Sequence, residues 1–354
     1  MGKNGDFNVL TVEFVSKNDF HQLNINNYLQ DLIVEAKKPE NQIKYIALSG
    51  GVGGAKLALG LEKIIQSENL MVIGNVGDDF RHFGLHISPD IDTLLYTLSG
   101  KSDVEKGWGL ADETWEFMSA MKELGGDTWF QLGDRDLATH VERTQRLQSG
   151  ESLSEITEYF RRTFGIGAQI IPATDDQLRT IVETDIGVLN FQEYFVRERC
   201  NPRIQNLHFQ GSETALPQHE LTKALRSKEL HSIIFCPSNP LLSIDPILSI
   251  QGLKKALADS GAKIVAVTPI VGGAAIKGPA AKNLNELGYL VSATTVAKHY
   301  QGLIHGFVLD NRDHQEAQQI EKLGIAVLVA DTIMNDLETK IHLAEKTLEF
   351  ANSL

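Results

Sequence analysis

The sequence has few cysteines and no long apolar run, and each shortage excludes a class of protein. Only two cysteines, Cys200 and Cys236, occur in 354 residues, which is too few for a disulfide framework or a structural zinc site. No uninterrupted apolar stretch approaches the roughly 20 residues that span a bilayer. Residues 1–42 lack the basic and apolar regions of a signal peptide. We therefore expect a cytoplasmic protein with no membrane partner.

Positive charge is also in short supply. The chain has 33 Lys and Arg against 46 Asp and Glu, a net charge of −13. A general nucleic-acid binder needs a surplus of cations to neutralise phosphates, so we expect no nucleic-acid partner. Local backbone amides, a few cations or a metal can still hold a small polyanion on an acidic protein.

Apolar runs alternate with helical patterns along most of the chain, which is typical of a doubly wound, mostly parallel α/β sheet of the Rossmann-like kind. The predicted strands are 43–48, 70–74, 231–236, 263–267, 306–309 and 325–329. The predicted helices are 57–65, 253–260, 278–287, 314–323 and 337–354. The pattern favours one domain over residues 43–354, preceded by an N-terminal extension, 1–42.

The middle of the chain has a different pattern. Three helices are predicted at 112–124, 136–148 and 153–164, and strands at 168–171, 180–183 and 204–209, some of them antiparallel. We interpret residues 100–228, approximately, as an inserted mixed α+β subdomain that caps one end of the sheet.

Glycines are concentrated where the first predicted strand meets its helix, in the segment SGGVGGAK, residues 49–56. Glycine lets a ligand approach the backbone closely, and a helix N-terminus presents free N–H groups to an anion. We expect this turn to bind phosphate, with Lys56 adding a cation. The segment is not a Walker A loop, because Leu57 follows Lys56, and its spacing does not match G-x-G-x-x-G.

Aspartates cluster after the second predicted strand. Asp78 and Asp79 end NVGDD, and Asp90 and Asp92 lie in PDIDT, residues 89–93. Ligands of open α/β sheets bind beyond the carboxyl ends of the strands, and carboxylates beside a phosphate usually share a cation such as Mg²⁺. Asp90 is equally well explained as a helix cap.

Further polar residues follow other predicted strands or helices. Arg135 is suited to grip a phosphate, or to pair with Asp134 or Asp136. Ser238, Asn239, Gly272, Gly273 and Lys277 come after strand ends, where a second phosphate or carboxylate contact is expected. The aromatic segment FQEYF, residues 191–195, either faces the same crevice or belongs to the core.

Seven motifs occur in an order that resembles one family, the 2-phospho-L-lactate transferases (CofD in archaea, FbiA in actinobacteria). The resemblance covers about residues 43–349. The motifs are SGGVGGAK (49–56), NVGDD (75–79), PDIDT (89–93), LGDRDLATH (132–140), FQEYF (191–195), PSNP (237–240) and PIVGGAAIKGPAAK (269–282).

The resemblance implies a reaction. A guanylyl-diphospho donor passes 2-phospholactate or enolpyruvyl phosphate to the deazaflavin Fo, 7,8-didemethyl-8-hydroxy-5-deazariboflavin. GMP leaves, and the product is coenzyme F420-0 or its dehydro form. The resemblance also implies Mg²⁺ as cofactor and a homodimer.

The resemblance also implies roles for individual residues. Asp79 and Asp92 are expected to be catalytic and to bind Mg²⁺, with Asp78 and Asp90 as helpers. Asp92 and Gln131 are expected at the Fo site, although the family often has a basic residue at the position of Gln131. The phosphate and guanylyl contacts are expected from Gly51, Val52, Gly53, Gly54, Lys56, Arg135, Ser238, Asn239, Gly272, Gly273 and Lys277.

Two other functions remain open. Distant relatives with this fold bind nucleotide sugars and act in regulation without known transfer chemistry. The combination of Asp79, Asp92 and residues 191–195 favours the transferase, because it suits a site for a metal and an acceptor. A nicotinamide dehydrogenase is disfavoured by the broken glycine fingerprint.

Overall fold

The computed structural model describes residues 43–103, 105–275 and 278–354. The predicted extension, residues 1–42, lies outside the described residues, as do Val104, Ile276 and Lys277.

Seven strands of the described residues form one sheet, in which every pairing is parallel. They are β1 (Tyr45–Ser49), β2 (Leu70–Gly74), β5 (Gln169–Pro172), β9 (Ser232–Phe235), β10 (Lys263–Val267), β13 (Gly306–Asp310) and β14 (Ala326–Ala330). Their order across the sheet is β14-β13-β10-β9-β1-β2-β5. The predicted α/β class is confirmed, and the sheet is wholly rather than mostly parallel.

Apolar sequence runs explain the buried strands. Residues 46–49 of β1 and all five residues of β2 are buried, as expected for parallel strands covered on both faces. The flanking helices are α1 (Gly51–Ile64), α2 (Pro89–Leu98), α3 (Glu116–Glu123), α4 (Asp134–Gln148), α5 (Leu153–Thr163), α6 (His219–Leu225), α7 (Asp245–Ser249), α8 (Leu253–Asp259), α9 (Ala280–Glu286), α10 (Ala293–His299), α11 (Ala317–Glu321) and α12 (Leu337–Ser353).

The segment 100–228, which we expected as one insertion, returns to the main sheet. Residues 169–172 form β5, which pairs in parallel with β2 from Met71↔Gln169 to Gly74↔Pro172. The expected boundaries therefore need correction, because β5 is an edge strand of the core sheet. Sequence periodicity identified this strand but contains no information about its partner.

The remaining strands are antiparallel. β6 (Arg179–Thr184) lies between β7 (Gly187–Asn190) and β8 (Ile204–Gln210) in a separate three-stranded sheet. β3 (Phe80–His82) and β4 (Leu85–Ile87) form a hairpin, and β11 (Ile270–Val271) pairs with β12 (Ala274–Ala275). The expected mixture of helices and antiparallel strands in the middle of the chain is thus present.

Four short helical turns complete the described elements: 3₁₀ turns at Ser67–Asn69 and Asn311–Glu316, and π-helical turns at Glu193–Arg197 and Pro240–Ile244. Within the described residues, no helix is both long enough and apolar enough to cross a membrane.

Candidate active site

The strand order reverses between β1 and β9, and a cleft opens beyond the carboxyl ends of these two strands. From β1 the chain runs first to β2 and β5 on one side, and later to β9, β10, β13 and β14 on the other. Such a switch point is where open α/β sheets bind ligands. The cleft has a volume of about 560 Å³, which suits a small-molecule ligand.

The glycine segment contributes several residues to the lining of this cleft. Gly50 is the N-cap of α1, and Gly51 has a φ of +62°, a left-handed conformation that favours glycine. Helix α1 begins at Gly51, so the predicted turn is shorter than expected and most of its glycines are helical. Gly51, Val52 and Gly53 line the cleft, whereas Gly54 is buried behind them.

Close packing also explains why two of these positions, 53 and 54, are occupied by glycine. A Cβ on Gly53 would lie 2.5 Å from the carbonyl oxygen of Pro237, and one on Gly54 would collide with the hydroxyls of Ser49 and Ser238. The start of α1 therefore lies directly against the carboxyl end of β9.

Lys56 lines the cleft, and its Nζ donates to the carbonyl oxygen of Met334 at 2.9 Å. Met334 belongs to a loop, residues 332–335, that follows β14 and also lines the cleft. Sequence reasoning missed this loop, although its position after a strand end was an available signal.

Asp78 and Asp90 lie side by side at the edge of the glycine segment. The side-chain amide of Asn75 donates to both carboxylates, at 3.0 Å each, and the backbone N–H of Gly51 donates to Asp90 at 2.6 Å. Asp90 thus caps the N-terminus of α1 rather than that of α2, which begins with the neighbouring Pro89.

Burial disfavours charge on this pair of carboxylates. It raises the pKa of Asp90 to about 6, against the hydrogen bonds from Asn75 and Gly51 that lower it. Burial, with the nearby charge of Asp90, raises the pKa of Asp78 well above its ordinary value. Both residues line the cleft, so a cation bound there would stabilise their ionised forms.

Asp79 points elsewhere. Its Oδ2 accepts from the Ser88 hydroxyl at 2.9 Å and lies 3.0 Å from Nε2 of His86. Its Oδ1 is buried and has no hydrogen-bond partner among the described residues. Asp79 is not among the residues that line the cleft.

Asp92 lines the cleft but is bound from behind by Arg143 of α4. The guanidinium contacts both carboxylate oxygens, Nη1 at 3.1 Å from Oδ2 and Nη2 in closer contact with Oδ1. Burial raises the pKa of Asp92, while the charge of Arg143 acts to lower it.

One wall of the cleft is aromatic. Trp108, Phe130, Phe191 and Phe195 line it together with Gln131, whose amide donates to the carbonyl of Thr128 at 2.7 Å. The rings of Phe191 and Phe195 are stacked, with centroids 5.3 Å apart and planes 12° apart. Phe191 is buried and Phe195 is 38% exposed, so the segment 191–195 contributes both to the core and to the cleft.

A second part of the lining, the polar wall, contains the side chains of a serine, a threonine and two asparagines. It includes Ser238, Asn239 and residues 278–280, in addition to the loop 332–335. Asn239 donates to Asn283 of α9 at 3.1 Å, and Asn283 donates to the Tyr194 hydroxyl at 3.2 Å. This chain of hydrogen bonds connects the polar wall to the segment that contains Phe191 and Phe195.

Besides the buried Gly54, three predicted phosphate or guanylyl contacts do not line the cleft. The guanidinium of Arg135 donates to the carbonyl of Ala111 at 2.9 Å, and Arg135 does not line the cleft. Gly272 donates its N–H to Asp313 at 2.8 Å, and neither it nor Gly273 lines the cleft. A fourth, Lys277, lies outside the described residues.

The described residues contain no group of three or more His, Cys, Asp or Glu arranged to hold a metal ion. Mg²⁺ does not need such a group, because it commonly binds one or two carboxylates and completes its shell with substrate phosphates. The paired Asp78 and Asp90, which both line the cleft, supply oxygen donors of the type that Mg²⁺ prefers.

Comparisons with known proteins agree on one family. The family model described as 2-phospho-L-lactate transferase CofD matches residues 45–345. A phosphoenolpyruvate transferase of Streptomyces griseus is 38% identical over 318 residues, covering 88% of this chain and 99% of the relative. A 2-phospho-L-lactate transferase of Methanococcoides burtonii is 39% identical over 308 residues, covering 87% and 99%.

A solved structure has the same fold. The crystal structure of a protein member of the UPF0052 family from Bacillus halodurans matches with a TM-score of 0.58 at 13% identity, and covers 87% of this chain and 99% of that one. At this identity the likeness concerns the fold alone.

Proposed function

The chain belongs to the 2-phospho-L-lactate transferase family and is an enzyme of that type, and from this premise we propose its substrates. It transfers 2-phospholactate or enolpyruvyl phosphate from a guanylyl-diphospho donor to the deazaflavin Fo. The products are GMP and coenzyme F420-0 or its dehydro form. The observation that carries the proposal is one cleft whose lining combines a glycine-rich helix N-terminus with several aromatic side chains.

Fo occupies the aromatic side. Its flat tricyclic ring needs apolar faces to pack against, and Phe130, Phe191, Phe195 and Trp108 offer them. Gln131 at the same wall offers a neutral amide to a polar ring substituent. The donor occupies the centre and the polar side, with its diphosphate at residues 51–53 and its guanylyl part near Ser238 and Asn239.

The reaction is a displacement at phosphorus. The ribityl hydroxyl oxygen of Fo forms a bond to the phosphorus of the phospho-acid, and the bond from that phosphorus to the bridging oxygen of GMP breaks. GMP leaves with the electron pair, and the hydroxyl proton passes to a carboxylate of the cleft, which we assign to Asp92. Positioning and neutralisation of charge supply most of the rate in such transfers.

Mg²⁺ is the cofactor that this site suits. We propose that Asp78 and Asp90 hold it, with Asp79 adjacent, because Asp78 and Asp90 both line the cleft and share the Asn75 amide. Asp92 is less suited than we expected, because Arg143 already engages both of its oxygens. When bound, the ion would neutralise charge on the donor diphosphate.

We propose a cytoplasmic enzyme, since Cys200 and Cys236 are both free thiols, and a homodimer, as the family resemblance implies. Light scattering coupled to size exclusion would measure the oligomer.

The test is direct. The purified protein is incubated with Fo, Mg²⁺ and each of three guanylyl donors, carrying phospholactate, phosphoenolpyruvate or 3-phosphoglycerate. Mass spectrometry then detects any Fo adduct. We expect an adduct with at least one donor; no adduct with any of them would favour the regulatory alternative.

A further inference from the structure

Arg143 is a fully buried cation directly behind the cleft. It lies on α4 with none of its surface exposed, and it does not line the cleft itself. Its guanidinium contacts both oxygens of Asp92, which does line the cleft from α2. A planar fork of donors fixes both the position and the rotation of the carboxylate that it binds.

The guanidinium is enclosed on its other sides. Nη1 also lies 3.4 Å from the carbonyl oxygen of His86 and 3.3 Å from Nδ1 of His140, and the Phe160 ring covers the group at 5.7 Å. A buried cation is costly unless its charge is matched, and the carboxylate of Asp92 matches it here.

The neighbouring histidine is oriented by the same cation. A guanidinium has donors only, so Nδ1 of His140 accepts, which leaves the ring proton on Nε2. Nε2 lies 3.3 Å from Oδ2 of Asp136, and the other oxygen of Asp136 accepts from the Tyr96 hydroxyl at 2.5 Å. Within the described residues Nε2 makes no hydrogen bond, so the contact that orients His140 is the one between Nδ1 and Arg143.

The ion pair between Arg143 and Asp92 could serve to dock α4 on α2 or to position Asp92 for the ligand, and the location of the neighbouring side chains distinguishes these two roles. An ion pair that served only to dock α4 on α2 would not need to reach a ligand site. Asp92, Tyr96, Asp136 and His140 all line the cleft, whereas Arg143 does not. We propose that Arg143 is a positioning residue, which fixes the orientation of the Asp92 carboxylate and aims it at the hydroxyl of the acceptor. This inference rests on the proposed function.

The test compares four variants: Arg143→Met, Arg143→Lys, Asp92→Asn and the double variant Asp92→Asn/Arg143→Met. Arg146→Met is the matched control, because Arg146 lies on the same helix but pairs with Glu142 and Glu151 at the surface. The readouts are kcat/KM for Fo, the Kd of Fo from its fluorescence, and the Kd of GMP from calorimetry.

Arg143→Met should lower kcat/KM for Fo by about 100-fold, the effect of a misplaced reacting group, while the Kd of GMP changes less than about twofold. Arg143→Lys should recover part of the loss, since it restores the charge without the fork. The double variant should bind Fo as Asp92→Asn does, because Arg143 has no role once the carboxylate is gone.

Several results would overturn the inference. They are near-normal use of Fo by Arg143→Lys and Arg143→Met, an equal loss of GMP and Fo affinity, or a double variant whose Fo affinity falls well below that of Asp92→Asn. If Arg143→Met does not fold, the positioning role is tested with Arg143→Lys and the double variant. The double variant is expected to fold, because it leaves neither member of the ion pair charged and unpaired. The Fo affinities remain informative even if no donor is turned over, so this inference and the proposed function fail separately.

Discussion

The hydroxyl of Ser238 clasps the backbone of Gly50. It accepts from the Gly50 N–H at 3.2 Å and donates to the Gly50 carbonyl at 2.7 Å. Gly50 follows β1 and Ser238 follows β9, so this pair joins the two strand ends at which the strand order reverses. The clasp holds the backbone that we expect to meet the diphosphate.

Ser238→Ala removes the clasp and leaves the buried N–H and C=O of Gly50 without this partner. An unsatisfied buried group costs about 1–3 kcal/mol, so we expect GMP affinity to fall by about tenfold. Calorimetry with GMP measures it. The control is Ser249→Ala, which removes a hydroxyl that bonds locally, to the carbonyl of Pro246 at 2.7 Å. Equal affinities in the two variants would argue against the clasp.

Gly53→Ala should weaken GMP binding and lower the melting temperature together. Its Cβ would meet the backbone oxygen of Pro237 at 2.5 Å, and backbone cannot move aside as a flexible side chain can. Gly252→Ala is the control, because that glycine has a φ of +74° but a Cβ added there would have no atom within 4 Å. We expect the control to lose stability, by about 1 kcal/mol, and to keep its GMP affinity. A Gly53→Ala protein with normal affinity would contradict the tight packing.

Asp78→Asn should separate stability from activity. Burial beside Asp90 disfavours the charge of Asp78, so removing that charge relieves the pair. Without Mg²⁺ we expect the melting temperature of the variant to be at least about 2 °C above that of the wild type. With Mg²⁺ and both substrates we expect the variant to show almost no turnover.

The melting temperatures of the wild type and Asp78→Asn are also compared with and without Mg²⁺ and GMP. Wild-type protein should gain thermal stability when Mg²⁺ and GMP are added, whereas Asp78→Asn should gain less. Asp259→Asn is the matched control, since Asp259 is exposed and pairs with Lys255 on the surface of α8. A variant at position 78 that gains as much as the wild type would remove this residue from the metal proposal.

Phe195→Ala should weaken Fo binding by about tenfold and leave GMP binding unchanged. Phe195 is partly exposed at the cleft and stacks on Phe191, and stacked aromatic contacts contribute about 0.5–1.5 kcal/mol beyond their buried area. Tyr159→Ala is the control, because Tyr159 is similarly exposed, at 40%, but stacks beneath Arg146 instead. Fluorescence titration measures the Fo affinity of both variants. Equal affinities would indicate that Fo does not bind at Phe195.

The central part of the site could be predicted from the sequence because its signals are local. Glycines between an apolar run and a helical pattern indicate a strand, a turn and a helix N-terminus, and Gly51, Val52 and Gly53 do line the cleft. Strand ends likewise pointed to Ser238 and Asn239. The strands 263–267 and 70–74 are confirmed residue by residue, since buried parallel strands are continuous apolar runs.

The rest depended on tertiary contacts. Arg143 meets Asp92 across 51 positions of sequence, and no local pattern identifies that partner. Arg135 is the arginine of the motif LGDRDLATH, yet its guanidinium donates to the carbonyl of Ala111, 24 positions earlier, and it does not line the cleft. The pairing of β5 with β2 is a matter of topology, which periodicity does not contain.

The mass of the Fo adduct, measured together with its co-product after a single turnover, tests the central claim most directly. Attack of the Fo hydroxyl on the phosphorus of the phospho-acid predicts phospho-acid-Fo and free GMP in equal amounts, formed only when Mg²⁺ is present. An adduct of Fo with the guanylyl group, or GMP released without any adduct, would contradict the account.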